Sequence, residues 1–432
     1  MEAKQVNIGL IGFGNIGRGI VKYFNDGKGK QFNVHLKKVL VSNPLKKRDP
    51  QYSAVTTNPK EIFDDPQIDI VVEVMGGVDT AKKYILEALK NKKNVVTANK
   101  AVMSRFAKEL FDTARKKSLD IGFEAAVGGG IPIIRTINGY KGEKITKIMA
   151  ILNGTTNFIL SQMEKGLSFE EALKIAQEKG FAEANHILDT GGFDTRDKLA
   201  LLASLIFNTQ IDINKISCAG ITEITPIDID FANKYNTEDG GWGYAIKLLA
   251  VAKKHNGTIE LRVNPALISK NHPLASIHDE FNAVYIEGEL CGPQMFWGKG
   301  AGTNPTTSAV ISDILRIAKN IQNGTSDELP SLDSKVKYVD PQDIVQKGYI
   351  RVSLKHIPGS LYKISGFLAQ SKLNIEDSIQ RKNFEFDCGN KKCIPDIITI
   401  QSAKQKTINT ALKNIQKSNR VFGKPFFLNF EE

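Results

Sequence analysis

The stretch VNIGLIGFGNIGRGIVKYF, residues 6–24, reads as a short apolar strand over 6–11 followed at once by a glycine-rich turn. Gly12, Gly14 and Gly17 form G-x-G-x-x-G directly after that strand and at the opening of a helix. This strand–turn–helix setting is what a dinucleotide fingerprint requires; the glycine triplet alone carries little weight. The glycines allow a tight turn and a close backbone approach, and the helix N-terminus faces the pyrophosphate.

Outward from that stretch, a second strand over 35–41 ends in SNPLKKR, with no acidic residue at its close. An acid there would bind a ribose 2′-hydroxyl and repel a 2′-phosphate. Asn43, Lys46 and Arg48 therefore favour NADP and leave NAD open; a solvated basic turn reads the same residues equally well. Strand-like runs follow at 68–75, 94–98 and 120–125, separated by helical stretches at 79–89 and 101–117. Such alternation implies a parallel sheet wrapped by helices, a Rossmann-type α/β domain over 1–135. Ligands of such sheets sit beyond the carboxyl ends of the strands. Here those ends are MGG at 75–77, TANK at 97–100 and EAAVGGGIP at 124–132, which puts Lys100 at the cofactor crevice.

The middle of the chain carries FAEANHILDTGGFDTRDKLALLASL, residues 181–205. Leu199, Leu201, Leu202 and Leu205 give a helical stripe from Asp194 onward, and Lys198 lies four residues past Asp194, on the same face. The two can share a proton or a substrate oxygen; taken alone they also read as a surface ion pair. Gly191 and Gly192 give the preceding loop freedom, and Glu183 adds a second acid. A helix is expected over 168–180, a helix cap or polar site at Thr155–Thr156–Asn157, and an amphipathic helix over 242–252. Strands over 259–289 and a glycine-rich loop running into a helix over 298–318 complete an α+β domain, 136–319, whose last helix packs back on the first domain. Residues 320–347, polar with Pro330 and Pro341, read as a linker. Residues 348–432 hold two strand–helix–strand sets, the plan of a small ferredoxin-like domain.

Composition narrows the function classes. A chain of 432 residues is too long for one core, and its 24% charged share is that of a globular protein. No apolar run reaches membrane-spanning length, and MEAKQVNIGL has no signal-peptide layout. Cysteines at 218, 291, 388 and 393 are too few for a disulfide framework, which favours a cytoplasmic setting. Cys388 and Cys393 are spaced to pair or to bind metal, yet no second pair or nearby histidine completes a zinc set. The net charge of +11 comes from lysines spread along the chain, without the basic tract of a nucleic-acid binder.

Taken together, GFGNIG, EVMGG, TANKA, EAAVGGGIPII, ILNGTTNFIL, the 183–198 segment, HPLASIHDEFNAV and GKGAGTNPTTSAV resemble homoserine dehydrogenase through nearly the whole chain. Residues 348–432 resemble an ACT domain, an amino-acid-sensing module, and the whole resembles the monofunctional form. The resemblance implies NAD(P)-dependent interconversion of L-homoserine and L-aspartate 4-semialdehyde, on the route to threonine, methionine and isoleucine. It implies Lys198 as proton donor and acceptor, with Lys100 between substrate and nicotinamide and Asp194 and Glu183 holding the substrate, together with Asp189, Asn153 and Thr155. Phe13, Asn15, Ile16, Met75, Gly76, Ala98 and Gly302 fall where the family touches the cofactor. Glu124 and the carbonyls of Val127, Gly129 and Ile131 match its monovalent-cation loop, for Na+ or K+. A homodimer or higher homo-oligomer and an amino-acid effector at the ACT domain are further implications. The chain departs from the family at Asn185 and His186, where A-D-P is usual, and at His356, where an acid is frequent. A related dehydrogenase for another small amino or hydroxy acid stays open, and Lys100, Glu183, Asp194 and Lys198 argue against a sensor without catalysis.

Overall fold

The fold begins with the succession β1 (Val6–Ile11), α1 (Asn15–Asn25), β2 (Val34–Leu40), β3 (Val55–Thr56), α2 (Lys60–Phe63), β4 (Ile70–Glu73) and α3 (Asp79–Lys90). It continues with β5 (Asn94–Thr97), α4 (Lys100–Arg115), β6 (Ile121–Gly122), α5 (Ile133–Gly139) and β7 (Ile145–Ile151). Four helices follow, α6 (Gly154–Glu164), α7 (Phe169–Glu178), α8 (Ile187–Thr190) and α9 (Phe193–Phe207). Then come β8 (Ser217–Cys218), α10 (Pro226–Lys234), β9 (Tyr244–His255), β10 (Thr258–Ser269), β11 (Phe281–Gly288), β12 (Gly292–Lys299) and α11 (Thr303–Asn323). The last elements are β13 (Lys337–Tyr338), β14 (Val345–Lys355), α12 (Ser360–Gln370), β15 (Ile375–Gln380), β16 (Phe386–Asp387), β17 (Lys392–Lys404), α13 (Gln405–Gln416) and β18 (Val421–Glu431). The structure, a computed structural model, describes residues 4–140, 142–235, 243–255, 257–389 and 391–431. The chain divides into two units: Met1–Ile148 with Asp194–Ile216 and Phe281–Val336, and Met149–Phe193 with Ser217–Glu280 and Lys337–Glu432.

In the first unit a six-stranded parallel sheet runs in the order β3-β2-β1-β4-β5-β6. The order reverses between β1 and β4, which opens a crevice outside their carboxyl ends. Val6, Ile8, Leu10, Ile70, Val72 and Val96 join one buried core with Val310, Ile314 and Ile317 of α11. Cover on both faces is why these strands are continuous apolar runs instead of alternating ones.

The stretch after α11 is an ordered strap on this unit. Asp120 accepts from Asn320 Nδ2 at 2.9 Å and from the Asp327 N–H at 2.7 Å, and Arg115 donates to the Pro330 carbonyl at 2.7 Å. Leu329 and Leu332 are buried. Of the stretch 320–347 that reads as a linker, 320–323 close α11, the residues up to 336 belong to this unit and those from 337 to the second; the pairing of Asn320 and Asp327 within the fold is what composition does not record.

The second unit contains the sheet β9-β10-β18-β14-β17-β15, with β8 and β13 also paired to β10. The amphipathic helix expected over 242–252 is instead the strand β9, in antiparallel register with β10 from Tyr244↔Ser269 to His255↔Thr258; Trp242 itself lies outside the described residues. Ala245 to Ala252 are buried on both faces, so the run has no period of two to betray a strand. Lys247 within it is fully buried, donates to the Ile277 carbonyl at 2.8 Å and has its pKa lowered by burial.

From β14 onward the chain runs β-α-β-β-α-β over four long strands ordered β18-β14-β17-β15. Ile350, Val352, Ile364, Leu368, Ile398 and Ile408 form a core of its own under α12 and α13. Cys388 and Cys393 are joined by a disulfide beside the short pairing of β16 with β17, which takes them out of any metal set. A cross-link over so short a loop contributes about 2 kcal/mol through the unfolded chain's entropy. Dithiothreitol is therefore expected to lower the Tm of this region, and a Cys388→Ser/Cys393→Ser variant to melt lower and ignore the reductant. An unchanged Tm on reduction would show that the cross-link contributes nothing.

Candidate functional site

The crevice of the first unit is built by the turn after β1. Gly12 has φ +103°, and a Cβ on it would lie 2.8 Å from the Val74 carbonyl oxygen; one on Gly17 would lie 2.3 Å from that of Gly12. Only glycine allows either approach. Gly14 differs, since a Cβ there would meet nothing within 4 Å, and no side chain caps α1. That open space lies beside the first N–H groups of α1, which as a class have no partner inside the helix, and suits a pyrophosphate.

Arg48 lies with its guanidinium 5.4 Å from the centre of the Phe13 ring and donates to the Lys46 and Asn43 carbonyls at 2.7 and 2.8 Å. Its fork thus holds the loop in which Asn43 and Lys46 are exposed. A cavity of about 470 Å3 beyond the strand ends is lined by Ile16, Gly76, Ala98, Lys100, Lys198 and Thr306 among others. Met75 is 40% exposed at its turn, and Gly302 caps α11 with φ +109°. Glu73 and Asn99 also line the cavity; they stand inside the motifs EVMGG and TANKA, which by themselves give neither a role.

Lys100 opens α4, and Lys198 projects from α9 one turn after Asp194. The Asp194 carboxylate bridges them: Lys198 Nζ donates to Oδ2 at 2.8 Å, and Lys100 Nζ to Oδ1. Asp194 and Lys198 are buried, whereas the Lys100 side chain is 43% exposed. Burial works to raise the Asp194 carboxyl, but the ammonium groups of Lys198 and Lys100 override it and hold it well below the usual range. Gln210 keeps the helix of Lys100 in place, accepting from the Lys108 N–H at 3.0 Å and donating to the Ser104 carbonyl at 2.8 Å.

Glu124 is buried, and its two carboxylate oxygens accept the N–H groups of Ile134 and Arg135 at 2.8 and 2.9 Å, at the start of α5. Burial and the nearby Asp313 carboxylate push its pKa up to about 7. Val127 and Ile131 are buried beside it, Gly129 turns the loop with φ +54°, and the Ile131 carbonyl accepts the Ile133 N–H at 2.8 Å. Among the described residues no group of three or more His, Cys, Asp or Glu could hold a metal ion. What the loop offers an ion is main-chain oxygen, the donor type suited to Na+ or K+.

Other residues singled out lie in the second unit. Asn153 caps α6, accepting from the Thr156 N–H at 2.8 Å, and its Nδ2 donates to Asp189 at 2.7 Å. The cap therefore falls two residues before Thr155, whose hydroxyl donates to the Phe181 carbonyl at 2.5 Å. Glu183 is exposed, and His186 interacts with the Thr190 hydroxyl of its own turn at 3.0 Å.

Comparison with known proteins gives these features a family. The model described as "Homoserine dehydrogenase, NAD binding domain" matches residues 12–124, and that described as "Homoserine dehydrogenase" matches 132–315. Homoserine dehydrogenase of Bacillus subtilis is 40% identical over 87% of this chain and 88% of its own length; that of Synechocystis is 37% identical over 96% and 97%. The crystal structure of a homoserine dehydrogenase from Thiobacillus denitrificans superposes with a TM-score of 0.88 at 31% identity, covering 99% of both chains. A hyperthermophilic archaeal homoserine dehydrogenase in complex with NADPH matches 73% of this chain and 98% of its own, with a TM-score of 0.62 at 25% identity. With a glycine turn for a dinucleotide and a carboxylate-bridged lysine pair beside it, the chain belongs to the homoserine dehydrogenase family.

Proposed function

We propose that this chain catalyses the NAD(P)-dependent interconversion of L-homoserine and L-aspartate 4-semialdehyde, oxidising a CH–OH group, in amino-acid biosynthesis. The observation that carries the reading is the Lys198–Asp194–Lys100 bridge at the cavity walled by Gly76 and Ala98. The nicotinamide, when bound, supplies the hydride acceptor. Lys198 Nζ takes the hydroxyl proton in the oxidative direction and returns it in the reductive one. Asp194 fixes the orientation of Lys198 and stays anionic throughout, as its depressed pKa requires. Lys100 polarises the substrate oxygen from the other side of the same carboxylate. The oxidation yields aldehyde, reduced nicotinamide and one released proton, so homoserine oxidation is favoured as pH rises.

In the same proposal Glu183 and Asp189 serve the substrate ammonium, Asn153 orients the Asp189 carboxylate through its Nδ2, and Thr155 ties α6 to the Phe181 carbonyl. NADP is the preferred cofactor, through the exposed Lys46 and a loop that Arg48 holds in shape. A monovalent cation binds the loop of Glu124, Val127, Gly129 and Ile131 through main-chain oxygen. Residues 348–432 form an ACT-like effector module; its β-α-β-β-α-β order is ferredoxin-like and supports that assignment. Homodimers in the cytoplasm are the expected setting.

A substrate panel tests the reading. With NADP, kcat/KM for L-homoserine should exceed that for L-serine and L-threonine at least about 100-fold, the range pocket contacts supply. Equal or better turnover of another amino or hydroxy acid would reassign the substrate.

A further inference from the structure

Glu73 closes β4 and is wholly buried, yet among the described residues it has no ion-pair partner. Its neighbours are donors instead. The Met75 N–H donates to Oε1 at 2.9 Å and the Thr97 hydroxyl to Oε2 at 2.6 Å. Burial lifts its carboxyl above the usual range, and these bonds work against that shift.

The bonds continue in a closed ring. The Asn99 N–H donates to Thr97 Oγ1 at 3.0 Å, Asn99 Nδ2 donates to the Gly77 carbonyl at 2.7 Å, and Asn99 Oδ1 caps α4 by accepting the Val102 N–H at 3.2 Å. Lys100 is the next residue, the first of α4. One carboxylate thereby ties the turn at 75–77, which lines the cofactor cavity, to the helix start that aims Lys100 at Asp194.

We infer that Glu73 is a positioning residue that sets the cofactor turn and the Lys100 ammonium in one geometry, an inference that rests on the dehydrogenase reading above. Glu73 touches neither substrate nor proton; it acts through Asn99 and the turn. Glutamine keeps its shape but turns an NH2 group toward donors, so it cannot satisfy the ring.

The test is Glu73→Gln in the full chain, with Thr97→Val as a milder second variant. Calorimetry should show NADP binding weakened about tenfold in Glu73→Gln, and kcat for homoserine should fall about 100-fold, the cost of misplacing a group by about an ångström. In a Lys100→Ala background Glu73→Gln should lower kcat by no more than about threefold further, because residues acting as one unit are not additive. Thr97→Val should move both quantities the same way by less. Native Kd and kcat in Glu73→Gln, or an undiminished effect without Lys100, would overturn the inference. Should Glu73→Gln fail to fold, native behaviour of Thr97→Val would do the same. Absence of homoserine turnover in the native chain would defeat the underlying reading, and the binding measurement would still decide the role of Glu73.

Discussion

Alanine at Lys198 is expected to lower kcat for homoserine oxidation by roughly three orders of magnitude, within the span that positioned acid–base groups contribute. Lys198 is buried, and its Nζ is held 2.8 Å from Asp194, so water has little room to take over as base without a rearrangement. Cofactor affinity should stay native, since the glycine turn at 12–17 does not depend on this side chain. Lys198→Arg separates two roles. Arginine keeps the positive charge but cannot give up its proton near neutral pH. It should therefore be as slow as alanine if Lys198 shuttles the proton; substantial activity in the arginine variant would reduce Lys198 to an electrostatic contact. Steady-state kinetics with calorimetric cofactor binding reads both outcomes.

Asp194→Asn is expected to cost stability and rate together. The carboxylate is the shared partner of two ammonium groups, one of them buried, and removing the charge leaves them facing each other. Breaking a buried pair costs about 3 kcal/mol. The rate should fall roughly 100-fold because Lys198 loses its orientation. The pH dependence has a definite sign. In the folded chain the Asp194 carboxyl titrates well below the usual value, so its contribution is complete above the unfolded value of about 4. It is lost as pH falls further, through the depressed folded pKa. Urea unfolding of native chain and variant should thus show a constant gap between about pH 5 and pH 8 that narrows below about pH 4. A gap that persisted undiminished into strong acid would contradict the carboxylate bridge.

Much of the fold and of the site is legible in the amino-acid sequence. The strand followed by Gly12, Gly14 and Gly17 announces a dinucleotide turn, because Gly12 and Gly17 stand where the backbone leaves no room for a Cβ. Asp194 and Lys198 declare themselves by helical spacing, and Lys100 by its place at a strand's carboxyl end. Glu73 is silent, since nothing in EVMGG tells a buried acid that organises its own turn from an exposed one. The one signal it leaves is an acid closing an apolar strand just before two glycines. β9 does not read as a strand because burial on both faces erases the alternation that marks one. The strap after α11 reads as a linker because its polar residues are paired within the fold, which composition does not record. At 153–157 the cap belongs to Asn153, since the Asn153 side chain reaches the Thr156 N–H and the Thr155 hydroxyl turns to Phe181 instead.

The measurement that bears most directly on the central claim is nicotinamide absorbance with purified chain and L-homoserine, NADP and NAD side by side. The account predicts homoserine-dependent reduction, faster with NADP and rising with pH. A chain that binds the cofactor yet reduces none of it when homoserine is added would contradict it.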